Sequence, residues 1–449
     1  MKSIEEKKRL SLICTELNVE QFGWDSQFYK RTPKKITASS LLESFWRMHQ
    51  KGKNTLSNWC TQLQGLIGEK VSEQSLNERL NKRTVDMVKK TLNFALNLKV
   101  DKQKLEKQKA FLGKKEALFN RILIRDSTTQ QLPSHLKDVF PGSHSNGNAT
   151  AIARIQALFD FTAAKWVDFE ISAYTDNDQK AANCIEHKLQ PNDLVLQDLG
   201  YFTLNWLEQL IEYQYIITNW KPGTHLFNEA GKKLNLVDLL SNNKETDIPV
   251  LVGAKKKLPM RLVARKLPKN KIKKRIKAAK NNRHSRVNHS EEYYELLKYE
   301  IYLTNIPSQW LNGKNIAKLY GLRWHIEILF KSWKSYANFK TLFEKGKMNL
   351  ARTKFTIYAV LIELVYLKNV VFNFFQNHKE FGKETFLSCL KFMDVVNDLF
   401  ETIISIQSLN QLSALIPIFK AKATYKKHTK RKNTVEKYLY VNELCITNN

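Results

Sequence analysis

Hydrophobic side chains recur with a helical period near both ends of the chain. In residues 1–112, Thr37 precedes one apolar run, and Ser75 and Glu78 have capping-box spacing before another. Short helices joined by polar turns suit a helix-turn-helix-like DNA reader, and they suit a plain helical bundle equally well. Residues 376–449 continue a helical pattern and end in a basic tail, which predicts a helical C-terminal region.

A strand pattern replaces the helical one at residue 117. One apolar segment runs up to Asp126, two alternating segments flank a turn at Thr162 to Lys165, and a second apolar segment ends at Asp198. In chain order the segments are ALFNRILIRD, ATAIARIQALFDF, AKWVDFEIS, the helical DNDQKAANCIEHKL, DLVLQD, the helical FTLNWLEQLIEY and QYIITN. The order is that of a ribonuclease-H-like fold, so we expect an α/β core of this class.

Asp126 and Asp198 each end a predicted buried strand. Taken singly, each is an ordinary residue for a strand-end turn or a helix cap. In the predicted topology, however, the two strands are neighbours. Their carboxylates would then meet at one edge of the sheet.

The stretch YGLRWHIEILFKSWK carries a narrow polar stripe. At about 100° per residue, Tyr320, Arg323, Glu327 and Lys334 fall within an arc of roughly 60°. The opposite side gathers apolar residues, namely Leu322, Ile326, Leu329 and Trp333. The pattern predicts one amphipathic helix, whose stripe is either a solvated face with an ordinary Arg323–Glu327 ion pair or part of a site.

Charge favours a polyanionic partner. Lysine and arginine number 73 against 43 acidic residues in 449, which gives a net charge of +30. Between Lys255 and Arg286 there are 15 basic residues and no acidic one. This block interrupts the fold pattern at residues 221–298, and the apolar strand pattern of residues 299–307 then returns the chain to the core. We therefore expect a basic, β-rich insertion that forms an interaction surface.

Other classes of protein are disfavoured by the sequence. The N-terminal segment alternates acids and bases without a long apolar stretch, so it is no signal peptide. The apolar run of residues 355–375 contains Glu363 and Lys368, which favours a buried helix over a membrane span. The five cysteines form no CxxC pair, so neither a zinc site nor a disulfide framework is indicated. A reducing cytoplasm fits this pattern.

Three carboxylates make a metal site plausible if the stripe lies across the two strand ends. Asp126, Asp198 and Glu327 would supply the oxygen ligands that Mg²⁺ prefers, with positions left for water and phosphate. Two such ions can assist an in-line phosphoryl displacement. The chain would then combine acidic side chains that bind metal ions with basic side chains that bind DNA.

These residues resemble the signature of the DDE transposases of bacterial insertion sequences, specifically insertion sequence family four. Tyr320, Arg323, Glu327 and Lys334 match the family pattern Y-x2-R-x3-E-x6-K in full. The blocks RDSTTQQLP around Asp126, QDLGYF around Asp198 and TNIP before the helix are also similar to that family. The resemblance covers roughly residues 117–375.

The resemblance implies a role for each signature residue. Asp126, Asp198 and Glu327 would be catalytic ligands of two Mg²⁺ ions, for which Mn²⁺ would substitute, and Tyr320, Arg323 and Lys334 would bind DNA. Family members cut one strand with water, form a hairpin, reopen it and join the 3′ ends to target DNA. A base near the cut is flipped onto an aromatic ring, for which Tyr299 and Tyr302 are the candidates here.

The resemblance also implies partners and a place of action. The expected partners are double-stranded DNA, as transposon ends and as target, and a second copy of the chain in a paired-end complex, with no membrane. The expected location is the bacterial cytoplasm, in association with the nucleoid. The predicted parts are a DNA-binding region at 1–112, the core at 113–220 and 299–375, the insertion at 221–298 and the C-terminal region at 376–449. The C-terminal region is either the place of the dimer contact or a simple cap on the helical bundle.

Three alternatives stay open on sequence alone. A ribonuclease-H-like nuclease would cut without joining. A domesticated DNA-binding protein would keep the fold without catalysis. A basic RNA-binding protein would account for the charge, although it would not explain the placement of the carboxylates.

Overall fold

A mixed sheet of ten strands forms the centre of the molecule. The computed structural model describes residues 11–98, 118–145, 148–241, 243–281, 290–339, 342–343, 348–381 and 385–425. Within these residues the strand order is β2-β3-β1-β5-β6-β10-β9-β8-β7, and β4 pairs with β3 beside β2. The strands are β1 Ile122–Leu132, β2 Pro141–Ser145, β3 Asn148–Asp160, β4 Lys165–Ala173, β5 Leu194–Gln197, β6 Tyr215–Asn219, β7 Leu226–Phe227, β8 Glu245–Val252, β9 Leu258–Lys266 and β10 Tyr299–Thr304.

The predicted ribonuclease-H-like order is confirmed in the first half of this sheet. Strands β1, β3 and β4 form an antiparallel meander, and β5 and β6 then add in parallel on the other side of β1. All four residues of β5 are buried, as expected for a central strand covered on both faces. The spatial order β4-β3-β1-β5-β6 places Asp126 of β1 beside the end of β5.

The insertion continues the same sheet. Strand β10 pairs antiparallel with β6, and β9 pairs antiparallel with β10, so β9, β8 and β7 extend the core sheet outward. Sequence predicted a β-rich insertion, and the strands are present. The described part of the insertion also holds three helices.

Helices cover the sheet and flank it. Each face of the sheet has its own hydrophobic core, one with the N-terminal helices and the helices that follow β10, the other with the helix after β5. The helices are α1 Leu12–Glu16, α2 Val19–Asp25, α3 Ala38–Gln50, α4 Leu56–Ile67, α5 Glu73–Arg79, α6 Lys82–Asn97, α7 Leu204–Tyr213, α8 Leu236–Ser241, α9 Lys269–Lys280, α10 Glu291–Leu296, α11 Gly313–Tyr320, α12 Trp324–Tyr336, α13 Leu350–Tyr366, α14 Asn373–Gln376, α15 Cys389–Asp398, α16 Phe400–Ile404 and α17 Ile416–Lys422.

The apolar helical run from α13 to α14 lies inside the protein. Within the described residues, Leu350–Gln376 is the one helix long and apolar enough to cross a membrane, and 89% of its most apolar window is buried. The N-terminal helices pack on it, because Trp46 Nε1 donates to Ala359 O at 2.8 Å and Phe45 contacts Phe355 edge-on. The N-terminal region therefore shares a core with the rest of the chain.

Three local predictions were wrong. Strand β1 does not end at Asp126 but continues to Leu132, because β3 pairs with its whole length. Residues 176–189 form turns and a short 3-10 helix instead of an α-helix, because the buried Arg125 guanidinium binds the carbonyls of Ala181 and Ala182. The capping box expected at Ser75 and Glu78 is absent, because both residues lie inside α5; Ser72 caps α5 and Asn81 caps α6.

Candidate active site

Asp126 and Asp198 lie side by side on neighbouring strands. Arg125 of β1 pairs in parallel register with Gln197 of β5, so the next residue of each strand is an aspartate at the same level. Asp198 caps the short 3-10 helix that follows β5, and its Oδ2 accepts from Gly200 N at 3.4 Å. The sequence prediction that these strands are neighbours is confirmed.

The helical run that carries the signature residues, from α11 to α12, lies across β1 and the end of β5 at the level of these aspartates. Its helical run has a 3-10 turn at Gly321–Arg323 between α11 and α12, where sequence predicted one continuous helix. The predicted apolar side is buried, and Trp333 contacts the Trp166 ring with centroids 4.9 Å apart. Because this side is fixed to the core, the opposite polar stripe faces the aspartates.

Arg323 connects strand β1 with helix α12. Its Nη1 donates to Asp126 Oδ2 at 2.9 Å, and its Nη2 donates to Glu327 Oε1 at 2.6 Å. One guanidinium therefore bridges a strand carboxylate and a helix carboxylate, and both bonds are of the charge-assisted kind. The Arg323–Glu327 pair is thus more than an ordinary surface ion pair, because a residue 197 positions away in sequence shares it.

The electrostatics of the site disfavour ionised Asp126. Burial, together with the charges of Asp198 and Glu327, raises the pKa of its carboxyl to about 6. The backbone N–H of Ser127 and the Arg323 guanidinium oppose this shift. A cluster of carboxylates that raises the pKa of one member is a site where an added cation is stabilising.

The donor set suits a hard divalent cation, but its present spacing does not enclose one. Across the described residues, no group of three or more His, Cys, Asp or Glu side chains is close enough to hold a metal ion. At this site the Arg323 guanidinium stands between Asp126 and Glu327 and pairs with both. The three carboxylates fit Mg²⁺ by chemistry, because hard divalent cations prefer oxygen ligands.

Tyr320 is held by protein partners. Its hydroxyl accepts from Asn219 Nδ2 at 2.8 Å and donates to Gln197 O at 3.3 Å, and its ring contacts Tyr302 with centroids 5.0 Å apart. These contacts fix the end of α11 to β5 and β6. Lys334 lies half-buried in the last turn of α12. The predicted DNA contacts of Tyr320 and Lys334 stay predictions.

Comparison with known families decides the class of the protein. The family model described as the transposase DDE domain matches residues 117–352, more than half of the chain. The chain belongs to the DDE transposase family. The matched range contains all three predicted carboxylates and the full signature run.

Curated transposases are similar over most of the chain. The transposase of insertion sequence element IS231F from Bacillus thuringiensis subsp. israelensis is 28% identical over 341 residues, covering 71% of this chain and 70% of the relative. That of IS231B from Bacillus thuringiensis subsp. berliner is 29% identical and covers 72% of each. That of IS1151 from Clostridium perfringens is 25% identical and covers 83% and 80%. This transposase is therefore an enzyme of the insertion-sequence type.

A solved structure also aligns with the chain, at lower similarity. It is titled as the cryo-EM structure of a piggyBac transposase synaptic complex with hairpin DNA. The alignment has 10% sequence identity and a TM-score of 0.43, covering 96% of this chain and 86% of that one.

An exposed tryptophan stands beside the transposase site. Trp324 is 59% exposed, and it lies three residues before Glu327, about 60° away around the helix. Tyr299 and Tyr302, the aromatic candidates from sequence, are buried, and the Tyr299 hydroxyl donates to Leu240 O at 2.8 Å. Neither tyrosine presents its ring to a ligand in this conformation. Trp324 could have been identified from the sequence, because it falls beside the polar stripe of this helix.

Sequence reasoning missed a hydrogen-bond network next to Asp126. Asp178 Oδ1 accepts from Ser127 Oγ at 3.0 Å, Arg154 Nη1 at 3.1 Å and Gln156 Nε2 at 3.0 Å. The Tyr201 hydroxyl donates to the other end of Gln156. Asp178 therefore joins β1, β3 and the segment after Asp198.

The same aspartate explains the glycine in the QDLGYF block. A Cβ built on Gly200 would lie 2.8 Å from Asp178 Oδ2, so a larger residue at this position would displace the Asp178 carboxylate. Gly200 donates its N–H to Asp198. Asp178 thus packs against the backbone that sets the position of the second aspartate.

Proposed function

We propose that this transposase moves an insertion sequence by cutting both DNA strands at the element's ends and joining the freed 3′ ends to target DNA. The observation that carries the proposal is the convergence of Asp126, Asp198 and Glu327 from two strands and a helix onto one sheet edge. The family match supports the same class of reaction.

Each step of the proposed reaction is a phosphoryl transfer with a different oxygen nucleophile. In the first, a water oxygen bonds to phosphorus, the P–O3′ bond breaks, and a 3′-OH and a 5′-phosphate result. That 3′-OH then attacks the opposite strand to give a hairpin, a second water opens it, and the 3′-OH finally attacks target DNA. One site serves all four steps, because only the attacking and leaving oxygens change.

The residues of the chain have separate roles in this proposal. Asp126, Asp198 and Glu327 would hold two Mg²⁺ ions, or Mn²⁺ in their place, which supply charge stabilisation for the attacking and leaving oxygens when bound. Arg323 offers a planar fork that fits a phosphate once it leaves the carboxylates, and Lys334 offers a point charge. Tyr320 would contact the DNA from the end of α11.

Trp324 is the aromatic residue that we propose for holding a flipped base. It is exposed, it neighbours Arg323, and stacking on a ring offsets the cost of extruding a base. The hairpin intermediate needs such relief, because the two strands must bend sharply at the cut.

The proposed partners follow from the reaction. Two ends are cut and joined, so we expect a homodimer with one active site for each end, acting on DNA in the bacterial cytoplasm. The N-terminal region is the proposed reader of the terminal repeats. Helix α15 of the C-terminal region packs on α12, and the face of that region turned away from α12 is the proposed dimer contact.

The test is cleavage of a labelled DNA fragment that spans the native gene and its flanks, resolved on a denaturing gel. With Mg²⁺ we expect discrete cuts on both sides of the gene, and their loss in Glu327→Gln. Glu291→Gln is the matched control, because it removes the same charge from an exposed position in the insertion. A hairpin band that is lost in Trp324→Ala would support the stacking role.

Other outcomes of this assay contradict the proposal in different ways. DNA binding without cutting, equal in both proteins, would indicate a catalytically silent DNA-binding protein. Cutting without any joined product would indicate a nuclease.

A further inference from the structure

Helix α9 presents a continuous basic surface. Its twelve residues include six lysines and Arg275, and none is acidic. All six lysines are exposed, whereas Ile272, Ile276 and Ala279 are half-buried along one side. The helix thus packs on the protein through a narrow apolar stripe, and its lysines face solvent.

This charge pattern is unfavourable for the isolated helix. Lys273 lies four residues from both Lys269 and Lys277, and like charges at that spacing repel. Lys269 and Lys271 lie in the first turn, where the helix macrodipole disfavours positive charge and no acidic residue offsets it. A polyanion along the exposed side relieves both penalties.

Strand register places α9 at the carboxylate edge of the sheet. The parallel register of β5 with β6 places Asp198 beside Asn219. The antiparallel pairs of β6 with β10 and of β10 with β9 then show which residues of those strands lie at the same height in the sheet. The residues at this level are Asn219 of β6, Tyr302 of β10 and Val263 of β9. Strand β9 runs on past that level to Lys266, and α9 begins three residues later.

A direct contact fixes the helix to this edge. Arg275 Nη1 donates to Tyr299 O at 2.9 Å, and Tyr299 is the first residue of β10. Strands in a sheet lie about 4.8 Å apart, so β9 is about 14 Å from β5 and about 19 Å from β1. At roughly 3.4 Å per base pair, that separation equals about 4–6 base pairs of duplex.

We propose that α9 binds the phosphate backbone of duplex DNA about 4–6 base pairs from the phosphate that is cut. This inference rests on the proposed function, since it assumes that the cut phosphate lies at the carboxylates. Contacts between the lysines and phosphates do not distinguish one base sequence from another. Helix α9 therefore anchors and orients the duplex, while other residues recognise its sequence.

The test compares two triple variants with equal loss of charge. Lys273, Lys274 and Lys277 are changed to Gln in one, and Lys255, Lys256 and Lys257 in the other. The second set lies in the β8–β9 turn, at the opposite end of β9 and roughly 25 Å from Lys266. Gln has a helix propensity close to that of Lys, so α9 should stay folded.

The measurement is DNA affinity of the full chain as a function of salt concentration, using a duplex that the wild type cuts. Each phosphate contact contributes about 0.9 to the slope of log affinity against log salt, so the helix variant should lose about 2–3 from the slope. The turn variant should keep the wild-type slope. Changing the three helix lysines to Arg should also keep it, because charge is retained.

Position is tested on the same duplex by ethylating single phosphates. Ethylation about 4–6 base pairs from the cut should weaken the wild type and leave the helix variant unaffected. An unchanged slope in the helix variant, or equal losses in both Gln variants, would overturn the inference while leaving the transposase reaction intact. Preference for duplex RNA over duplex DNA would overturn the assigned partner. A wild type that cuts no DNA would instead refute the proposed function.

Discussion

At the scale of single residues, the site joins charges that are far apart in sequence. Asp126, Asp198, Arg323 and Glu327 were predicted from their residue types and spacing, because strand ends and a helical stripe are local patterns. The bridge that Arg323 makes between two carboxylates was not predictable. Its geometry depends on the 3-10 turn before α12, which no local pattern indicates.

Asp178 shows what local patterns miss. The three groups that donate to Asp178 come from β1 and β3, and Asp178 also packs against Gly200. This network therefore exists only once the sheet has formed. We expect Asp178→Asn to lower the rate of DNA cutting by about 10–100-fold and to raise the Mg²⁺ concentration needed, with DNA affinity little changed. The reason is that Ser127, Arg154 and Gln156 lose the charged acceptor that holds them beside Asp126.

The control for Asp178 is Asp176→Asn, an exposed neighbour with the same change of charge. Gly200→Ala should be as damaging as Asp178→Asn, because the added methyl meets Asp178. In an Asp178→Ala background the same glycine change should cost little more, since the colliding atom is gone. Simple addition of the two effects would contradict this account.

At the scale of elements, strand and helix types were predicted better than their ends. The polar residues that follow Asp126 suggested the end of β1, yet β3 pairs with them through to Leu132. The predicted helix after β4 is lost to the carbonyl contacts of Arg125. Both errors have the same origin, because a partner distant in sequence satisfies the backbone in place of a local pattern.

Helix α13 makes stability depend on pH through one buried carboxyl. Burial raises the pKa of Glu363 to about 8, against an ordinary value of 4.5, while a hydrogen bond from Gln50 opposes the shift. The folded state therefore binds the proton more tightly than the unfolded state. The contribution of Glu363 to the free energy of unfolding is fully present below pH 4.5 and is lost as the pH rises through about 8.

Glu363→Gln should remove that loss. Relative to the wild type, we expect the variant to gain on the order of a few kcal/mol in free energy of unfolding at pH 8.5, and little at pH 4.5. Denaturant unfolding at both pH values measures the difference, and other titrating groups cancel in the comparison. Glu401→Gln, at an exposed position, should show no such dependence. A gain of equal size at both pH values would show that Glu363 is not held neutral.

At the scale of the whole molecule, the sequence predicted a ribonuclease-H-like core but not how the other parts attach. The insertion was expected as a separate stretch, and strand pairing instead makes it an outward extension of the core sheet. The N-terminal helices share a core with α13, through contacts such as that of Trp46 with Ala359. Pairing and packing between distant segments leave little trace in local periodicity, so these features needed the structure.

We propose that three carboxylates from distant parts of the chain hold the same metal ions. This proposal is tested most directly by replacing Mg²⁺ with Fe²⁺ in the protein bound to DNA and adding ascorbate and peroxide, so that radicals cut the backbone near the bound ion. The account predicts peptide cuts near Asp126, Asp198 and Glu327 together, competed by Mg²⁺ and lost at all three places in Asp198→Asn. Cuts at other positions, or at one of the three alone, in protein that still cleaves DNA would contradict it.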